Sequence, residues 1–410
     1  MLRSRARRFV WIPASIALAL AGCSADAGSV ADGAAGAAPA AQGAASAPTR
    51  TGTPQLRVST VAAGLAHPWD LGLLPDGQVL VSERGGRLAL VSGTAPGAIV
   101  TPVAADFGDV LVRGEGGLMG LVVHPDFAQS RRFTTCQTHT GGGGDVRLIT
   151  WQLAVDGRSA ARVADPLVGG LPVSPSGRHS GCRPTLAADG ALLVGTGDTA
   201  RSTVPQDLTS MGGKVLRVDL ATGGPAAGNP FADAAAAAQR LIWTYGHRNV
   251  QGVAVRPGTG EVYTAEHGPG TDDEVNRLRA GGNYGWDPSQ GGTVGGYDES
   301  VPMTDLARFP DAVPAMWSSG RPVEAIAGAA FIDGPQWGAL DGALAVAALR
   351  GSKLLIMTLG RDGAVASVGV PIELDGTFGR LRAVRTGPDG ALFVTSSNGS
   401  GDVLLRITPV

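Results

Sequence analysis

Cysteine, lysine and tyrosine are scarce in this chain of 410 residues, at three, two and four. Three cysteines without a paired Cys or His spacing exclude a zinc framework. Charged residues make up 17% of the chain, and 33 Lys and Arg against 35 Asp and Glu leave a net charge of −2. There is therefore no basic footprint for nucleic acid. The longest apolar run, Val10 to Ala21, is far shorter than the roughly 20 residues needed to span a bilayer. The glycines follow no three-residue period, which excludes a collagen-like fibre. What is present is 43% apolar residues, enough to bury a large core, and 63 glycines, about twice the usual share. Gly, Val, Leu and Thr in abundance, with few long helix formers, predict short strands joined by tight turns. The expected class is all-β.

The first 22 residues read as an export signal. Arg3, Arg5, Arg7 and Arg8 precede the apolar run, which ends in Leu20-Ala21-Gly22-Cys23. That tetrapeptide resembles a bacterial lipobox, so Cys23 is expected to carry the lipid after cleavage before it. The predicted location is outside the cytoplasmic membrane, in the periplasm or at the cell surface, with the lipid anchor as the sole membrane contact. Residues 23–54 then form an Ala, Gly, Ser and Pro tether that cannot offset its own ordering entropy. With Cys23 set aside, Cys136 and Cys182 remain. In an oxidising compartment they are expected to pair, the alternative being two buried thiols.

From residue 55 to 410 one pattern recurs. Pro75-Asp76-Gly77, Ala188-Asp189-Gly190, Pro257-Gly258-Thr259-Gly260, Leu340-Asp341-Gly342 and Pro388-Asp389-Gly390 each precede an apolar strand, and His124-Pro125-Asp126-Phe127 is a degenerate sixth copy. An apolar strand comes before most of them, which makes each a hairpin tip. Six copies spaced more widely than common propeller repeats predict a six-bladed β-propeller with long inter-blade loops. The one helical run expected is Ala232 to Arg240. Ligands of propellers sit on loops at one end of the central channel, so the unusual loops carry the functional expectation.

Those loops include Gly64-Leu65-Ala66-His67-Pro68-Trp69-Asp70, Gly114-Glu115-Gly116-Gly117-Leu118-Met119-Gly120 and Gly195-Thr196-Gly197-Asp198. Further along stand Tyr245-Gly246-His247-Arg248-Asn249-Val250-Gln251-Gly252, Glu266-His267-Gly268-Pro269, Asp272-Asp273-Glu274-Val275-Asn276 and Gly281-Gly282-Asn283-Tyr284-Gly285-Trp286. In order and spacing the chain resembles the soluble pyrroloquinoline quinone (PQQ)-dependent aldose and glucose/sorbosone dehydrogenases, from about residue 56 onward. The resemblance implies a calcium-using six-bladed propeller that oxidises an aldose sugar to its lactone and passes electrons to an external acceptor. It implies that His179 is the general base and that Arg248 stabilises the reduced quinone. It places Glu115, Asp198, Arg248, Asn249, Arg350, Arg380 and Arg382 on the cofactor, with Arg380 and Arg382 two apart on one strand face. Guanidinium groups suit a tricarboxylate because they pair bidentately with carboxylates. Calcium is implied at Gly268 and Pro269 through backbone carbonyls, and a second ion at Glu274 and Tyr284.

Three positions depart from the family pattern. Arg178 stands where glucose dehydrogenases have Asp, Cys182 replaces a Gly, and Glu115 lies where some members use a glutamine. A disulfide between Cys182 and Cys136 would clamp the loop of His179, and an ionised Glu115 beside a tricarboxylate needs pairing. These departures keep a second reading open: a catalytically weak or inactive propeller lipoprotein that binds a carbohydrate or a protein. A lactonase-type hydrolase would need a metal cage of Glu, Asn and Asp side chains, which the motifs do not assemble.

Overall fold

The computed structural model describes residues 52–289 and 296–410. The leader, Cys23 and the tether as far as residue 51 lie outside the described residues.

The described chain is all-β, with 24 strands in six four-stranded antiparallel sheets. Strand β1 (Leu56–Leu65) comes first and is set aside until the chain closes. Blade 1 follows with β2 (Pro68–Leu73), β3 (Val79–Glu83), β4 (Arg87–Val91) and β5 (Val100–Val103). Blade 2 is β6 (Leu118–Val123), β7 (Arg132–His139), β8 (Asp145–Leu153) and β9 (Ala160–Leu171). Blade 3 is β10 (Arg183–Leu186), β11 (Leu192–Gly195), β12 (Lys214–Val218) and β13 (Ile242–Tyr245). Blade 4 is β14 (Val250–Val255), β15 (Val262–Glu266), β16 (Glu274–Arg277) and β17 (Trp317–Ser318). Blade 5 is β18 (Ile326–Phe331), β19 (Leu344–Ala348), β20 (Lys353–Leu359) and β21 (Val365–Gly369). Blade 6 is β22 (Leu381–Thr386), β23 (Leu392–Ser396) and β24 (Asp402–Pro409), and β1 supplies its fourth strand. Leu56 pairs with Pro409 and Leu65 with Asp402, so the two ends of the propeller are hydrogen-bonded into one sheet.

Each sequence turn sits between the first and second strands of a blade, so the six copies mark six blades. The first strands form the inner ring, each packed against the next, with β22 returning to β2. Strands β6 and β18 are buried along most of their length and read as continuous apolar runs. Glycine lets these strands approach. A Cβ on Gly120 would lie 2.3 Å from Pro184 of blade 3, and one on Gly252 would lie 2.3 Å from the Ala327 carbonyl of blade 5. Part of the glycine excess is thus a packing requirement of the ring. The expected helix over Ala232–Arg240 shortens to Ala237–Leu241, because no side chain caps its start at Ala236 and so short a helix gains little from propensity.

Polar groups at the axis are matched across blades. Asp70 on β2 is fully buried and receives Arg183 of blade 3 at 2.8 Å and Arg385 of blade 6 at 2.7 Å. It also accepts the Leu121 amide of blade 2 at 3.2 Å. One carboxylate therefore ties four blades together. Burial opposes its charge, but the two guanidiniums hold Asp70 below the ordinary carboxylate range. Cys136 on β7 is bonded to Cys182, just ahead of β10, which links blades 2 and 3 covalently as expected.

Removing the charge of Asp70 leaves Arg183 buried without its counter-ion. Asp70→Asn is expected to cost about 3–5 kcal/mol of stability, read as a lower denaturant midpoint. The wild-type advantage is complete above the unfolded carboxylate value and fades as pH falls through the lower folded value. An unchanged midpoint at pH 7 contradicts this role.

Candidate active site

The turn motifs lie at one end of the ring, and the chemistry lies at the other. There the chain enters each first strand and leaves each second strand. Glu115 precedes β6, His179 precedes β10, Asp198 follows β11, Arg248 and Asn249 precede β14, and Arg382 lies at the start of β22. Closure of the ring brings these distant segments to one mouth.

His179 is buried, with a backbone φ of 50°. A left-handed backbone at a non-glycine residue is uncommon and concentrates at functional positions. Its amide donates to Glu115 Oε1 at 3.1 Å, and its Nδ1 lies 2.7 Å from Asp198 Oδ1. Asp198 is fully buried and also accepts Trp286 Nε1 at 2.8 Å and the Tyr297 hydroxyl at 2.6 Å. Burial raises the Asp198 pKa, but the neighbouring His179 and Arg248 charges and these donors bring it below the usual range. An ionised Asp198 makes Nδ1 the protonated nitrogen and leaves the Nε2 lone pair of His179 as an acceptor.

Glu115 is paired, which answers the question its charge posed. It accepts Asn249 Nδ2 at 2.9 Å and Gln251 Nε2 at 3.2 Å besides the His179 amide. Burial pushes its pKa up, but nearby His179 and His267 and the donated hydrogen bonds hold it down. Gln251 continues the network, with its Oε1 3.3 Å from Arg382 Nη1. Arg382 is 9% exposed, and its guanidinium lies 5.3 Å from the centre of the Trp69 ring. Burial first, and then Arg183, Arg380 and Arg84, pull its pKa down to about 9.

Arg248 is buried and donates through Nη1 to the carbonyls of His267 at 3.0 Å and Gly268 at 3.1 Å. Its Nη2 reaches Glu299 Oε1 at 2.6 Å, and Arg178 Nη2 meets the same oxygen at 2.7 Å. Arg248 Nε and His267 Nε2 are buried without a partner. A weakly paired buried Arg382 beside the orphaned Nε–H of Arg248 is the environment an anion with several oxygens would complete.

Several expected site residues stand apart from this network. Arg350 is exposed on the turn after β19, where its backbone amide bonds Glu324. Arg380 lies just ahead of β22 and is exposed, so the expected pair on one strand face is one buried and one solvated arginine. Glu274 bonds Thr304 at 3.0 Å and faces Glu266 across the strand pair. Burial and Glu266 raise its pKa to about 8. Tyr284 instead uses its hydroxyl on the Arg277 carbonyl and the Arg279 amide and stacks on His247 at 4.5 Å. The two side chains expected to share an ion thus serve different networks. Gly268 gives its carbonyl to Arg248, and its amide bonds Asp273 at 2.9 Å. Among the described residues, no cluster of three or more His, Cys, Asp or Glu is arranged to hold a metal ion. The calcium expected at Gly268 and Pro269 would rest on backbone carbonyls, and that of Gly268 already accepts Arg248.

Tyr297 and Glu299 were absent from the sequence expectations. They lie in the long connection between β16 and β17, beyond the matched segment that ends at Trp286. His267 and Gln251 sat inside matched segments but were not among the expected site residues. Only the scarcity of tyrosine could have pointed to Tyr297.

The described fold agrees with known proteins. The family model described as Glucose / Sorbosone dehydrogenase matches residues 65–406. Aldose sugar dehydrogenase YliI of Escherichia coli K12 is 30% identical over 361 residues, covering 86% of this chain and 93% of the relative. A crystal structure of the soluble aldose sugar dehydrogenase of Escherichia coli aligns with a TM-score of 0.72 at 30% identity, over 87% of this chain and 100% of that one. The PQQ-bound aldose sugar dehydrogenase of Streptomyces coelicolor aligns with a TM-score of 0.69 at 28% identity, over 86% of this chain and 99% of that one.

The site makes a prediction independent of any ligand. Burial, opposed by Glu115 and reinforced by Arg248 and Arg382, holds the His267 imidazole below the ordinary histidine value. In an NMR titration its ring is expected to stay neutral as the pH falls through the normal histidine range near 6.5. A midpoint at or above that value contradicts the charge arrangement.

Proposed function

The chain belongs to the glucose/sorbosone dehydrogenase family, and from that premise we propose that it is a PQQ-dependent enzyme that oxidises an aldose sugar to its lactone. The observation that carries the reading is the convergence of a buried His179–Asp198 pair with the buried guanidiniums of Arg248 and Arg382 at one end of the ring. A general base and fixed cations for an anionic acceptor are the two requirements of the chemistry.

In this reading His179 Nε2 takes the proton of the anomeric hydroxyl as the carbon–hydrogen bond of the same carbon breaks. Asp198 holds the imidazole through Nδ1 and stabilises it once it is protonated. Trp286 and Tyr297 keep the carboxylate of Asp198 ionised and aimed at the ring. Bound PQQ supplies the two-electron acceptor for the hydride. Arg248, Arg382 and Asn249 are the residues that would hold it, with Arg380 at the rim. Arg248 supplies charge where oxygen becomes more negative, and Arg382 supplies it where carboxylates need a partner. Glu115 does not stand unpaired beside the cofactor, because the His179 amide, Asn249 and Gln251 all donate to it. No step is assigned to calcium.

The leader and Cys23 complete the proposal: the mature chain is exported and held outside the cytoplasmic membrane by lipid on Cys23, and its electrons leave to an external acceptor. Replacing Cys23 with Ser is expected to release the protein from the membrane fraction, and retention there contradicts the anchor.

The catalytic assignment is tested with purified protein, PQQ, calcium, an aldose and an artificial dye. Sugar-dependent dye reduction is expected, and His179→Ala is expected to lower kcat by about 10²–10⁴. Dye reduction that survives His179→Ala refutes the base. Absence of PQQ binding refutes the enzyme reading and leaves a carbohydrate- or protein-binding scaffold.

A further inference from the structure

Glu299 places one carboxylate oxygen between two guanidiniums, 2.6 Å from Arg248 and 2.7 Å from Arg178. The three side chains differ in their freedom. Arg248 is 6% exposed and anchored by two carbonyls, whereas Glu299 is 39% and Arg178 46% exposed. The buried arginine is therefore held on the protein side, and its two exposed neighbours border solvent.

What Glu299 covers is the chemistry of the site. Arg178 Nη2, held by Glu299, lies 3.5 Å from His179 Nε2, the nitrogen left free by Asp198. Both guanidiniums rest near aromatic rings, Arg178 at 5.9 Å from Tyr297 and Arg248 at 5.8 Å from Trp286. The carboxylate leaves Arg248 incompletely satisfied, since its buried Nε keeps no partner. A carboxylate that engages one edge of a buried guanidinium and leaves the remaining donor orphaned is a replaceable partner.

We infer that Glu299 is an internal competitor for the anionic cofactor, occupying Arg248 together with Arg178, and that the cofactor binds by exchanging with it. The inference rests on the reading of Arg248 as a cofactor contact. It also gives Arg178 a function: beside His179 it would add an uncompensated cation, and its pairing with Glu299 offsets part of that charge next to the base. The exchange is a ligand substitution in which no covalent bond changes. A carboxylate seated about nine-tenths of the time lowers the apparent affinity about tenfold, because only the remaining fraction is competent to bind. Glu299 therefore acts as a positioning residue that sets the threshold of cofactor loading.

The test is equilibrium binding of PQQ to purified protein, followed by quenching of tryptophan fluorescence without sugar or dye. Glu299→Gln keeps the shape and removes the charge, and Asp298→Asn removes a neighbouring exposed charge that bonds Ser300 rather than an arginine. Glu299→Gln is expected to bind PQQ about tenfold more tightly than wild type, and Asp298→Asn to match wild type. Equal or weaker binding by Glu299→Gln, or equal tightening by both variants, overturns the inference while leaving the proposed function standing. Absence of binding in all three proteins overturns the proposed function and the inference with it.

Discussion

The buried carboxylate of Asp70 is the interaction on which the rest of the molecule depends. A six-bladed ring brings six inner strands to one axis, where water cannot solvate charges. Asp70 resolves this by accepting Arg183 and Arg385 from blades 3 and 6 and an amide from blade 2. Burying an ion pair yields little net stability, but losing one member leaves a costly unpaired charge. The pair therefore enforces register more than it adds strength. Arg183 is the first residue of β10, directly after Cys182 and four after His179. Fixing Arg183 on Asp70 from one side and Cys182 on Cys136 from the other fixes the loop that carries the imidazole.

Charge balance organises the mouth in the same way. Arg248 and Arg382 are buried cations, and Glu115 is the half-buried anion set among them, bonded to His179, Asn249 and Gln251. Each of these groups would be untenable alone in a low-dielectric site. Together they leave a surplus of positive character with an unspent donor at Arg248. The chain's unusual residues also fall into compensating pairs: Arg178 meets Glu299, and Cys182 meets Cys136. Departures that looked damaging one at a time are accommodated when their partners are seen.

The fold was legible in the sequence because its signal is local. A turn such as Pro75-Asp76-Gly77 flanked by apolar runs is a hairpin wherever it occurs, and six of them count six blades. The closing strand β1 was less legible, since pairing between Leu56 and Pro409 depends on the whole ring. The site divided along the same line. His179, Arg248 and Asn249 lay in conspicuous motifs and converge in space. Arg350 lay in a segment of similar pattern but faces solvent, because a lone arginine carries no signal of burial. Tyr297 and Glu299 were illegible, since their role arises from a long connection folding back over blade 3.

We propose that a bound quinone would oxidise the sugar, with His179 taking the hydroxyl proton and the buried arginines holding the quinone. The most direct measurement is a single turnover, with PQQ-loaded protein mixed anaerobically with an aldose and the quinone absorbance followed without any added acceptor. The account predicts conversion to the reduced spectrum in proportion to the loaded protein, with no further change until an oxidant is supplied. A loaded protein whose quinone spectrum stays oxidised across a panel of aldoses would contradict it.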